Sequence, residues 1–157
     1  MLKKIIKFIL IILVMSLIFN FSSDNSTTST KKSDGLISKV GEIIIGRNLT
    51  KEEKNNYITK YVILVRKSAH FIIYLFLGIL LISFIKEFKI NNSLQLALLT
   101  SLFYACTDEI HQYFVPGRSC EVRDVLIDTL GAFTGIILYK YIYKLRRSLH
   151  EQKETTC

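Results

Sequence analysis

The chain has 157 residues, half of them hydrophobic, and a formal charge of +8. That length suits either one compact soluble domain or a small multi-span membrane protein, and the distribution of apolar residues decides between them. They collect in blocks near 5–21, 69–85, 94–107 and 125–143, broader than the stripe of a soluble amphipathic helix, which points to an integral membrane protein. The basic residues flank these blocks without any nucleic-acid motif, so membrane-flanking charge accounts for them and no nucleic-acid partner is expected.

Lys3, Lys4 and Lys7 precede a run ending at Phe21, the layout shared by a signal peptide and an uncleaved anchor. No Ala-x-Ala site follows, so residues 1–21 are expected to be a transmembrane anchor. Residues 22–34 carry too little apolar content for a core and read as an exposed linker. From Gly35, the positions Leu36, Ile37, Val40, Ile43 and Ile44 fall on one helical face, predicting an amphipathic helix on the membrane surface. Gly46 suits its C-terminal cap, and Thr50 with Glu53 forms a capping-box pattern that starts a further helix. Tyr57, Ile58, Tyr61, Val62 and Val65 give that helix an apolar side leading into the second span. Residues 22–61 are thus an extracytoplasmic linker with amphipathic helices, and residues 62–143 a three-span domain.

The second span opens at Arg66-Lys67-Ser68-Ala69-His70 and runs to Ile85. A polar turn separates it from a third, which must continue from Leu94 past Asp108 to about Phe114 in order to cross. Pro116 and Gly117 stand at the central positions of a type II turn over 115–118. The fourth span starts at Asp124 or Val125 and ends near Tyr143, leaving a basic tail over 144–157. The expected fold is therefore all-α, a membrane helical bundle of about four spans with both termini cytoplasmic. In either orientation the start of span two, the end of span three and the start of span four share one membrane side.

Ionisable groups in or beside a span are costly, so they have partners or a function. Arg66, His70 and Tyr74 share a face at i, i+4, i+8, as do Tyr104, Asp108 and Gln112, and Asp124 and Asp128 lie one turn apart. These faces can converge on one outward-facing polar pocket, with Arg118 and Arg123 reaching over it from the loop. A salt-bridged network that merely locks helices is the plain alternative, but small residues pack membrane helices at lower cost than buried charge. The expected ligand-binding set is Arg66, Lys67, His70, Tyr74, Asp108, Glu109, Gln112, Arg118, Asp124 and Asp128, with His70 and Asp108 the candidates for any catalysis.

Asp108 and Glu109 point about 100° apart on a helix, so Glu109 is expected to pair with Lys67 or Arg118 instead of sharing one atom with Asp108. Asp124 with Asp128 can hold a divalent cation or pair with arginines; the arginine pairing is preferred, and no metal or other cofactor is expected. His111 is either a further acid/base group or an interfacial residue. Gly131 and Gly135, in GxxxG spacing, predict a close helix contact rather than a phosphate loop. Cys106, Cys120 and Cys157 lack any CxxC or metal-type spacing, which argues against a disulfide or zinc framework.

Across residues 62 to 140 the chain resembles the VanZ-like family of small bacterial membrane proteins. The likeness rests on Arg66-Lys67-x-x-His70-Phe71-x-x-Tyr74 with Leu77-Gly78, then Asp108-Glu109-x-x-Gln112-x-Phe114 with Pro116-Gly117-Arg118, then Asp124-Val125-Leu126-Ile127-Asp128-Thr129-x-Gly131 and Gly135. Asp128 stands where the family often has Asn, and Cys120 where it usually has a small residue. The resemblance implies an outward-facing polar core in a bacterial cell membrane and a link to glycopeptide or lipoglycopeptide susceptibility. From the residues, the leading expectation is a module that binds an anionic lipid or lipid-linked precursor head group through Arg66, Lys67 and Arg118. The alternatives are an intramembrane hydrolase or transferase with His70 as base and Asp108 orienting it, and a helix-packing partner of another membrane protein.

Overall fold

The computed structural model describes residues 1–24 and 26–155, so Cys157 lies outside the described residues. The described chain is all-helical: α1 (Leu2–Ser23), α2 (Ser26–Ile45), α3 (Lys51–Ile85), a 3-10 turn at Lys86–Phe88, α4 (Ser93–Tyr113) and α5 (Val122–Thr155). The α1, α3 and α5 helices are long and apolar enough to cross a membrane. With 21 residues, α4 extends about 31 Å, the thickness of a hydrocarbon core, but carries Asp108 and Glu109 near its end.

Several local signals act as their chemistry dictates. Thr50 accepts a hydrogen bond from the Glu53 amide and Glu53 reaches back to the Thr50 amide, closing the capping box that starts α3. Gly46 takes φ +75° where α2 ends, and its amide bonds the Glu42 carbonyl at 2.9 Å. The turn after α4 has Gly117 at φ +76° and an Arg118 amide bonded to the Val115 carbonyl at 3.1 Å, as type II geometry requires.

Two element boundaries differ from those expected. The backbone is already helical from Ser26, so most of the polar 22–34 stretch extends α2 rather than forming a linker. Once the apolar end of α2 is docked against α3, each further helical residue adds a hydrogen bond without a new nucleation cost. The capped helix at 51 and the second span are likewise continuous, giving α3 35 residues and about 52 Å. It overreaches any bilayer, and its first turns stand beyond the apolar layer.

The α3–α5 pair forms the most extensive interface. A Cβ built on Gly78 would lie 2.2 Å from the Ala132 carbonyl oxygen, one on Gly131 2.4 Å from that of Phe71, and one on Gly135 2.1 Å from that of Leu75. Backbones this close require glycine, so the GxxxG spacing is a helix contact. Tyr74, Leu77, Leu81 and Ile82 of α3 pack the centre with Ile11 and Ile18 of α1, Ala97 and Ala105 of α4, and Ala132 and Ile136 of α5. Phe8, Ile12, Leu99, Phe103, Leu126 and Leu130 stay exposed on the outer faces, as expected of side chains that meet lipid.

The two ends of the bundle are chemically distinct. At one, Lys7 of α1 pairs with Glu87 and donates to the Ser83 carbonyl, and Lys86 lies over the Tyr139 and Tyr143 rings. At the other, the last turn of α1, the middle of α3, the last turns of α4 and the first turns of α5 bring the polar residues together.

Candidate functional site

A cavity of about 280 Å³ opens at that second end. Its wall carries Arg66, Lys67 and His70 from α3, Gln112 from α4, Arg118 from the turn, and Asp124 and Asp128 from α5. The i, i+4 spacings aim the α3 and α5 groups at one another because these helices touch through their glycines one to two turns deeper. Seven of the ten expected residues thus face one space.

Beneath the cavity lies a buried polar layer. Asp108, 3% exposed, accepts from the Ser22 hydroxyl at 2.8 Å and the Gln112 amide at 3.1 Å. The same Gln112 nitrogen donates to Glu109 at 2.9 Å, and the other Glu109 oxygen accepts from the Glu121 amide at 2.9 Å. The Gln112 carbonyl in turn accepts from Arg118 at 2.9 Å. One glutamine therefore links both buried carboxylates to the cation at the cavity rim.

The rim itself is cationic on one side. Arg118 also donates to the Asp24 and Phe21 carbonyls, each at 3.0 Å, which anchors it to the end of α1 without a carboxylate partner among the described residues. Burial holds its guanidinium below the ordinary value, and the positive charge of Arg66 acts in the same direction. Arg66 makes no hydrogen bond or ion pair with any described residue. Opposite, Lys67 pairs with Asp124 and lies 3.6 Å from Glu121, whose carboxyl is held below its usual range by Arg123 first and then Lys67.

A family model, VanZ/LLP1, matches residues 7–144 of this chain. The chain belongs to the VanZ/LLP1 family. No curated protein and no solved structure matches it. The match begins within α1, well before residue 62, where the resemblance in the sequence became visible.

In this VanZ/LLP1 protein α1 is part of the site, through Ser22 and the carbonyls of Phe21 and Asp24. Sequence reasoning did not find it, although a serine closing an otherwise apolar span was a usable signal. Other expected pairings are corrected. Glu109 bonds Gln112 and the start of α5, not Lys67 or Arg118, because its position on α4 turns it towards the 121 backbone. Asp124 is taken by Lys67 rather than an arginine, and Arg123 by Glu121 at 3.2 Å. Tyr74 is fully buried in the core and does not line the cavity; Asp108 and Glu109 also lie behind the wall. His111 stacks on Phe19 at 4.3 Å and meets the Ser23 hydroxyl at 3.0 Å, both at the end of α1.

The carboxylate against His70 Nδ1 is Asp128, at 3.7 Å, where Asp108 was expected. Asp128 is 1% exposed and neither of its oxygens has a hydrogen-bond partner. One donor atom each from His70, Asp108 and Asp128 lies within 4.8 Å of the others, a spacing that can hold a divalent cation. The Asp124–Asp128 pair weighed in the sequence is not that grouping, since Lys67 occupies Asp124.

Proposed function

We propose that this VanZ/LLP1 protein is a four-span bacterial cell-envelope protein whose cavity binds the anionic head group of a lipid or lipid-linked precursor from the outer side of the membrane. The observation that carries this reading is that Arg66 and Arg118 both line the mouth of one cavity, neither in an ion pair with a described residue, with Asp108, Asp24 and Glu109 acting on Arg118 only from beyond contact distance. Two like charges lining one cavity, the charge of Arg66 acting on Arg118, favour an anion between them, and a phosphate or carboxylate accepts charge-assisted hydrogen bonds from both. Lys67, His70, Gln112 and Asp124 on the same wall orient the group. The α4 helix crosses as a fourth span, its polar end sheltered by the other helices. The α1 helix is retained as an anchor, a role supported by its hydrogen bonds to Asp108 and Arg118, and both termini are cytoplasmic. Binding at this site links the protein to glycopeptide and lipoglycopeptide susceptibility, since such drugs act on envelope precursors.

Arg66→Ala tests the reading, because Arg66 has no bonded partner among the described residues that its loss would orphan. Loss of one charge-assisted contact should weaken binding of phosphatidic acid in phosphatidylcholine vesicles about 10- to 100-fold, with the protein still inserted. Binding equal to wild type would refute the anion site.

A second reading has its own observation. His70 sits on the cavity wall with the buried Asp128 3.7 Å behind Nδ1, a carboxylate placed to orient an imidazole base once the contact tightens to a hydrogen bond. Under it the same lipids are hydrolysed or transferred, and product formation that disappears in His70→Ala distinguishes turnover from binding.

A further inference from the structure

Beside the charged cavity runs a second space, of about 570 Å³, between α1, α2 and α3. The two share Arg66, His70 and Arg118, which form the wall between them. Away from that wall Asp24 and Ser33 are the polar residues of the lining, and the rest is apolar, including Phe21 of α1, Leu36 of α2, and Ala69, Ile73 and Phe76 of α3. Along α3 it extends from Val65 to Phe76, about 16 Å of helix. Phe21, Leu36, Ile72 and Phe76 each keep about half their surface exposed, so the slot opens to its surroundings and is not sealed.

We infer that this slot holds one hydrocarbon chain of a membrane lipid whose phosphate lies across Arg66 and Arg118, so that the ligand enters sideways from the bilayer. The inference rests on the anionic head-group reading and names the rest of the molecule. Charge complementarity selects the occupant. A soluble anion satisfies the arginines but leaves the slot without contacts, and an uncharged hydrocarbon fills the slot but leaves Arg66 without an ion-pair partner among the described residues. An amphiphile with a single anionic end matches both spaces. A chain gains little hydrophobic free energy on moving from bilayer to slot, so the head group supplies affinity and the slot supplies selection by shape.

The test uses the full chain in phosphatidylcholine vesicles with a phosphatidic acid probe that carries a diazirine midway along one acyl chain. After illumination, mass spectrometry should find adducts on the slot residues Leu36, Ile73 and Phe76 enriched about tenfold over Phe103, an exposed residue of α4. Ala69→Trp, which fills the slot, should remove that enrichment; Leu36→Trp fills it from α2 and serves if the first variant does not fold. Arg66→Ala should also reduce it, and a phosphatidylcholine probe with the same diazirine should label Leu36 and Phe103 alike. Even labelling by phosphatidic acid, while Arg66→Ala still weakens its binding, overturns the slot and leaves the anion site standing. Slot labelling that is equal for both probes and indifferent to Arg66→Ala overturns the anion site, and this inference falls with it.

Discussion

At the scale of single residues, the buried layer under the cavity shows how the burial of acids is offset. Asp108 and Glu109 lose water on folding, and each recovers hydrogen bonds from Gln112 and from one further donor, Ser22 or the Glu121 amide. Ser22 is therefore structurally important although its side chain is small and uncharged. Ser22→Ala removes a hydrogen bond to a buried carboxylate and should cost about 2 kcal/mol, whereas Ser23→Ala, whose contacts are exposed, should stay within about 0.5 kcal/mol. Thermal unfolding of the two variants in the same detergent checks the difference. Equal shifts would mean that Ser22 does not hold Asp108.

At the scale of elements, α3 and α5 set the spacing of the site. Three glycines let their backbones approach to carbonyl contact, which places Arg66, Lys67 and His70 opposite Asp124 and Asp128. Gly135→Val drives side-chain carbon into the Leu75 carbonyl and should destabilise the bundle by about 3 kcal/mol, read as a lowered melting temperature. Gly35→Ala is the counterpart. Its Cβ meets nothing within 4 Å in a helical position, and the substitution should be neutral or stabilising by up to about 1 kcal/mol. The α2 helix attaches through Ile37, which is buried, while Val40, Ile43 and Ile44 remain exposed.

At the scale of the whole molecule, the charged cavity and the Lys7–Glu87 cluster occupy opposite ends of the bundle. The proposed topology, four crossings with both termini cytoplasmic, predicts positions 34 and 118 outside and positions 90 and 150 in the cytoplasm. Reporter fusions at these four positions should read accordingly. A cytoplasmic signal at 118 would remove the basis for an outward-facing site and call for an intracellular ligand. The exposed apolar faces of α1, α4 and α5 give the molecule its lipid-facing surface, while its polar groups are gathered inside and at the ends.

The sequence by itself determined what local patterns encode. Apolar blocks of spanning length specify helices in a membrane, the Thr50–Glu53 box and Gly46 mark helix ends, Pro116-Gly117 makes the turn, and GxxxG predicts the close contact. The parity of the spans placed the start of the second, the end of the third and the start of the fourth on one side, and His70, Asp108 and Asp128 do meet. Only the tertiary structure decided which side chain touches which. That Asp128 rather than Asp108 backs His70, that Glu109 holds the start of α5, that Tyr74 belongs to the core and that Ser22 completes the layer all depend on how each helix is rotated about its axis. A turn of a few tens of degrees moves a side chain by several ångströms, enough to change its partner. That rotation is set by packing between elements distant in the chain, which no local pattern records.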